Sequence, residues 1–105
     1  MIFVELPAFT ASRLFDDDTL RLIQLTLLAN PLAGDLIPDG WGLRKLRAPL
    51  PGRGKRGGAR VIYYWYVNQE ICYLVYAYAK NHQADLTSAQ LRLLAQVMRE
   101  EVDHG

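Results

Sequence analysis

Two runs of β-branched and aromatic residues, ARVIYYWYV at 59–67 and ICYLVYAYA at 71–79, stand three residues apart. Side chains of this kind favour a pleated, half-buried surface. Asn68-Gln69 between the runs supplies the turn, so the pair reads as an antiparallel hairpin. A chain built around such a hairpin needs helices to cover it, and the remaining segments supply them.

Residues 2–6 (IFVEL) form a short first strand, stopped by Pro7. A short helix is expected from Ala8 to about Phe15, with Pro7 at or before its first turn. A better marked helix follows. Asp16, Asp17 and Asp18 provide an N-cap and a negative first turn. Leu20, Ile23 and Leu27, with Leu22, Leu25 and Leu28, give it a wide apolar face. Asn30-Pro31 ends it, with asparagine expected in a left-handed C-cap. A loop rich in glycine, proline and aspartate leads to a strand over 41–47, and glycines at 52, 54, 57 and 58 separate that strand from the hairpin. The last helix opens on a capping box, Thr87 with Gln90, and on a staple of Leu86 with Leu91. Leu91, Leu94, Ala95 and Met98 carry it to about Glu101. The predicted order is β-α-α-β-β-β-α, a mostly antiparallel sheet packed against helices in one α+β domain spanning 1–105.

Half of the 105 residues are apolar and 22% are charged, a globular composition. One cysteine cannot form an internal disulfide, and with two histidines it makes no zinc-ligand spacing. MIFVELPAF has no basic leader or long apolar run, and nothing approaches the roughly 20 apolar residues that span a bilayer. The expectation is a cytoplasmic chain with no membrane contact and no cofactor.

The net charge of +1 hides a partition. Residues 1–39 hold two basic and six acidic side chains, residues 70–105 three basic and five acidic. Between 40 and 69 there are seven basic side chains and no acid. A neutral chain that concentrates its cations in this way presents a field to an anion.

Four stretches carry that field. In GLRKLR, alternation puts Lys45 and Arg47 on one strand face and Arg44 with Leu46 on the other. Two neighbouring cations repel, which a strand tolerates better with an anion between them; the competing reading is edge protection against aggregation. The loop PGRGKRGGAR contains GxGxxG, but a strand follows it rather than a helix, and it lacks the glycine spacing and hydroxyl residue of a Walker A motif. Arg53, Lys55 and Arg56 remain as phosphate-contact candidates, against the alternative of a solvated hairpin loop. Arg60 opens the next strand beside that loop, and a guanidinium suits bidentate phosphate contact. Finally, in YAYAKNHQADLT, Lys80 ends a strand with the parity of Tyr76 and Tyr78, and His82 follows in the turn, with a titration range suited to proton transfer or simply solvated. The other aromatics read as core, and Cys72 as a buried small hydrophobe.

GLRKLR, GKRGGARVIYY (54–64), YAKN (78–81) and DLT (85–87), in this order and spacing, resemble the RelE/ParE superfamily of toxins from type II toxin–antitoxin modules, on its HigB-like branch. The resemblance covers nearly the whole chain. It implies a RelE-like fold and a ribosome-dependent messenger RNA endoribonuclease that inhibits translation. The chemistry it implies is attack of a ribose 2′-hydroxyl on the adjacent phosphate, without a metal. It assigns Lys45, Arg47, Arg60 and Lys80 to the catalytic set, Arg60 and Lys80 on the phosphate and Lys45 as general base or electrostatic activator. Arg44, Arg53, Lys55, Arg56, Tyr78 and His82 fall to RNA binding. Leu86-Thr87 stand where the RelE pattern has a tyrosine, leaving Tyr78 or His82 for stacking or proton transfer. The partners implied are a helix-turn-helix antitoxin, the ribosome with its messenger RNA, and operator DNA only through the antitoxin. The alternatives are a ParE-like poison of a protein target such as gyrase, and a non-catalytic nucleic-acid-binding module.

Overall fold

The computed structural model describes residues 1–50 and 58–104. In chain order they form β1 (Ile2–Glu5), α1 (Pro7–Ser12), α2 (Asp17–Ala29), β2 (Asp35–Leu36), β3 (Arg44–Ala48), β4 (Ala59–Tyr66), β5 (Ile71–Ala79) and α3 (Ser88–His104). The strands make one five-stranded sheet in the order β1-β5-β4-β3-β2. β1 is parallel to β5, and the other neighbours are antiparallel. The α+β layout expected from the sequence is present, with β2 added at one edge. Among the described residues no helix is long and apolar enough to cross a membrane.

The sheet separates two cores. On one face Leu46, Val61, Tyr63, Leu74 and Ala77 meet Ile23 and Leu27 of α2 and Phe9 of α1. On the other, Ile62, Tyr73, Val75 and Tyr78 meet Leu94 and Met98 of α3. Burying a leucine or isoleucine of this kind contributes about 1.5–3 kcal/mol. Cys72 lies in the first core, and burial pushes its thiol up to about 12, so it is an inert hydrophobe there.

Capping follows the sequence closely at two helix starts. Asp16 accepts from the Thr19 backbone N–H at 2.8 Å. Thr87 and Gln90 exchange both bonds of the capping box, at 3.0 and 3.1 Å. Asn30 departs from expectation. It is extended (φ −152°) rather than left-handed, because the following proline disfavours helical geometry at its predecessor; its side chain accepts from the Leu32 N–H instead. The α2 apolar face is also narrower than its sequence suggests. Ile23 and Leu27 are buried, whereas Leu22, Leu25 and Leu28 are each more than half exposed. The strand expected from residue 41 starts at Arg44, since Trp41 and Gly42 both have positive φ. Trp41 stacks on Tyr64 with ring centroids 5.4 Å apart, and the Arg99 guanidinium lies 5.7 Å from the Trp41 ring.

A register shift in the hairpin decides which residues share a face. β4 alternates without interruption, Ile62, Tyr64 and Tyr66 packing on the α3 side and Val61, Tyr63 and Trp65 on the other. In β5 the alternation slips: Tyr73, Val75, Tyr76 and Tyr78 all belong to the α3 side. The cause is a bulge, because Ile62 faces Tyr76 while Tyr63 faces Leu74, leaving Val75 as the extra residue. The slip sets Tyr78 opposite Arg60.

β2 is held by tertiary bonds. The Tyr63 hydroxyl, fully buried, accepts from Gly34 N–H at 2.9 Å and donates to the Pro31 carbonyl at 2.7 Å. Arg44 Nη1 donates to the Gly34 carbonyl at 2.8 Å. Tyr63→Phe leaves a backbone donor and an acceptor without their partner, so it is expected to lower stability by about 1–3 kcal/mol. Urea unfolding checks this, with a lowered midpoint and an unchanged slope as the expected outcome.

Candidate functional site

At one end of the sheet, Lys45 and Arg47 of β3, Arg60 of β4 and Lys80 just past β5 line a single cavity of about 250 Å³. Strand pairing brings them together. Arg47 faces Arg60 across the β3–β4 ladder, and Arg60 faces Tyr78 across β4–β5. Lys80 is pinned through its backbone, whose N–H donates to the Gly58 carbonyl at 3.1 Å. Gly58 itself has φ +44°, and a Cβ there would lie 2.8 Å from the Ala48 carbonyl oxygen. No other residue fits this close approach without backbone movement.

Two carboxylates also line the cavity, those of Asp35 and Asp85. Lys45 Nζ donates to Asp85 Oδ1 at 3.1 Å and forms an ion pair with it. The Asp85 carboxyl is held below its ordinary value, first by the Leu86 backbone N–H (2.8 Å) and then by Lys45. Tyr78 donates to the same oxygen at 3.4 Å. Burial, followed by the Asp85 charge, pushes the Tyr78 phenol up to about 12, so it remains a proton donor through the neutral range. The cavity therefore already holds an anion on one of its cations. Asp85 offsets the charge of Lys45, the neighbour of Arg47 on this strand face. Asp85 was not among the sequence-predicted site residues; the signal for it is its place just ahead of the capping box, which turns its carboxylate back toward β3.

The remaining candidates divide. Tyr78 is only 5% exposed and packs against Tyr76; it borders the groove between α1 and β5, and its hydroxyl is the part that reaches Asp85. Arg44 is spent on the Gly34 carbonyl and is not among the residues lining the cavity. His82 is exposed and lines a different groove, between α1 and the end of β5, with Ala8, Ala11 and Tyr76. Arg53, Lys55 and Arg56 lie outside the described residues.

Two outcomes follow from this geometry. Gly58→Ala should displace Lys80 and strain the β3–β4 end, lowering thermal stability, which a melting curve would read. Removing the ammonium by Lys45→Gln should raise the titration midpoint of Asp85 toward its ordinary value, leaving the Leu86 N–H to hold it down in part. Because the folded value is depressed, whatever stability the pair contributes is present above the ordinary carboxyl pKa and is lost as pH falls through the folded one. Carboxyl chemical shifts followed against pH measure the change, and an unmoved Asp85 midpoint would dissolve the pair.

Comparison with known families adds the last observation. The family model for the RelE toxin of RelE/RelB toxin–antitoxin systems matches residues 24–103, which run from within α2 to the last turn of α3 and include every residue of the cation cavity. A five-stranded mixed sheet with helices on both faces is consistent with that match. An antitoxin is accordingly a partner of this protein. The chain belongs to the RelE toxin family.

Proposed function

We propose that this toxin is a ribosome-dependent messenger RNA endoribonuclease of the HigB-like branch, acting in the cytoplasm without a metal. The observation that carries the reading is the convergence of Lys45, Arg47, Arg60 and Lys80 on one cavity from three different strands or strand ends. In the proposed reaction a ribose 2′-hydroxyl attacks the adjacent phosphorus. The bond to the 5′-oxygen breaks, the 2′-hydroxyl proton leaves to a carboxylate of the site and the departing 5′-oxygen takes a proton from water, so that a 2′,3′-cyclic phosphate and a 5′-hydroxyl result. Charge on the non-bridging oxygens rises in the transition state, and pre-positioned cations stabilise it more than they stabilise the bound RNA.

Arg60 sits centrally, its backbone paired to Arg47 on one side and Tyr78 on the other, and takes the phosphate with Lys80. Lys45, as the donor to Asp85, acts here as a charge. Asp85 is then the acceptor nearest to it for the 2′-hydroxyl proton. A carboxylate held below its ordinary value is a weak base, so acid–base help is modest and electrostatic stabilisation dominates. The helix-turn-helix character of the antitoxin, and its contact with operator DNA, belong to the same proposal.

Arg60→Ala should leave the fold intact and lower cleavage by about 10²–10³-fold, the usual loss for one transition-state donor. Primer extension on cellular transcripts after brief induction reads this as discrete in-frame cuts with the parent and none with the variant. Uncut transcripts accompanied by DNA damage would favour a gyrase poison instead, and full toxicity from folded Arg60→Ala would remove Arg60 from the mechanism.

A further inference from the structure

A second cavity, of about 390 Å³, adjoins the cation site and shares Asp35, Lys45 and Asp85 with it. Its other walls are apolar: Leu36, Ile37 and Pro38 from β2 and the segment after it, Leu86 and Leu91 from around the start of α3. The volume falls within the range of small-ligand pockets, about 300–1,000 Å³, and aliphatic walls with a few convergent polar groups are the usual lining of such pockets. The polar groups are confined to the side nearest the cations. Resting on the nuclease reading, we infer that this cavity is a nucleobase subsite that selects a base carrying an exocyclic amine beside the phosphate held by Arg60 and Lys80.

The selectivity follows from donor–acceptor matching. All three hydrogen bonds that reach the Asp85 carboxylate fall on Oδ1, from Lys45, Tyr78 and Leu86 N–H. Oδ2 accepts none from the described residues and remains available to a ligand. Asp35 adds a second exposed carboxylate on the shared wall. Carboxylates accept only, so they match the amino group of adenine, cytosine or guanine. Uracil presents a carbonyl oxygen at the position where cytosine carries its amine, which sets acceptor against acceptor. Leu36 and Leu91 meanwhile offer apolar surface to the ring faces. Among the described residues, the lining of the groove between α1 and β5 includes no lysine or arginine.

Titrating the ¹⁵N-labelled full chain with inorganic phosphate and with adenosine, cytidine and uridine 3′-monophosphates tests the subsite by chemical-shift affinity. The adenosine and cytidine nucleotides should bind about two- to tenfold more tightly than the uridine nucleotide, the range of one net hydrogen bond. Leu36→Trp fills the cavity from an exposed position; it should abolish the difference while leaving phosphate affinity in place. Asp35→Asn, which adds a donor, should shift the ratio toward uridine. Equal affinity for the three nucleotides, or discrimination that survives Leu36→Trp, would overturn the subsite alone. Phosphate binding that is absent, or indifferent to Arg60→Ala, would instead overturn the cation-site reading beneath it.

Discussion

The pairing of β4 with β5, and the extra residue at Val75 within it, is the constraint on which the rest depends. A strand of nine residues with uninterrupted alternation would put Tyr76 and Tyr78 on the same face as Cys72 and Leu74, toward α1 and α2. The bulge turns the last third of β5 over. Tyr78 then faces Arg60, its hydroxyl reaches Asp85, and Asp85 in turn holds Lys45. A one-residue slip in a sheet exchanges every side chain between faces; here that exchange is used once, locally, to bring a phenol and a carboxylate to the cations. Helix α3 packs its Leu94 and Met98 on this same face, so core and site are set by one event.

Electrostatics at the cavity are a balance of opposed charges. Arg47 and Arg60 stand opposite one another on adjacent strands, a like-charge arrangement that is unfavourable on a sheet surface. Asp35 and Asp85 offset part of the repulsion, and the exposed setting of Asp85 keeps the energy of its ion pair small. A bound phosphate would do more, since it can meet several cations at once.

Much of this was legible in the sequence and some was not, for identifiable reasons. The parity of Lys45 and Arg47, the Asp16 cap and the Thr87–Gln90 box depend on residues within four positions of one another, and the hairpin joins two runs only three residues apart, so these local patterns survive folding. β2 does not: Asp35-Leu36 has no strand pattern of its own and is held by Tyr63, some 29 residues away. The apolar face of α2 is wider in sequence than in the fold, because periodicity reports which positions are apolar and not which face finds a neighbour. His82 shows the converse case. It is close to Lys80 in sequence, but the turn carries it to the other side of the β5 end. Asp85 went unselected because an acidic residue in a site sought for its cations carries no signal until its partner is seen.

Backbone contacts, more than side-chain ones, locate the cations. Lys80 is positioned through its N–H on Gly58, Lys45 through its pairing with Ile62 and Asp35, and Arg60 through Arg47 and Tyr78. Among their charged ends, Lys45 Nζ donates to Asp85 and Arg60 Nη1 donates to the Ala59 carbonyl at 3.2 Å. A site arranged in this way separates two demands that often conflict. Stability resides in the ladders and the two cores, so the side chains that line the cavity are not also required to hold the sheet together. Substitutions at the cation ends should therefore cost function far more than folding, whereas substitutions at Gly58, Tyr63 or the bulge act on both through the frame that carries them.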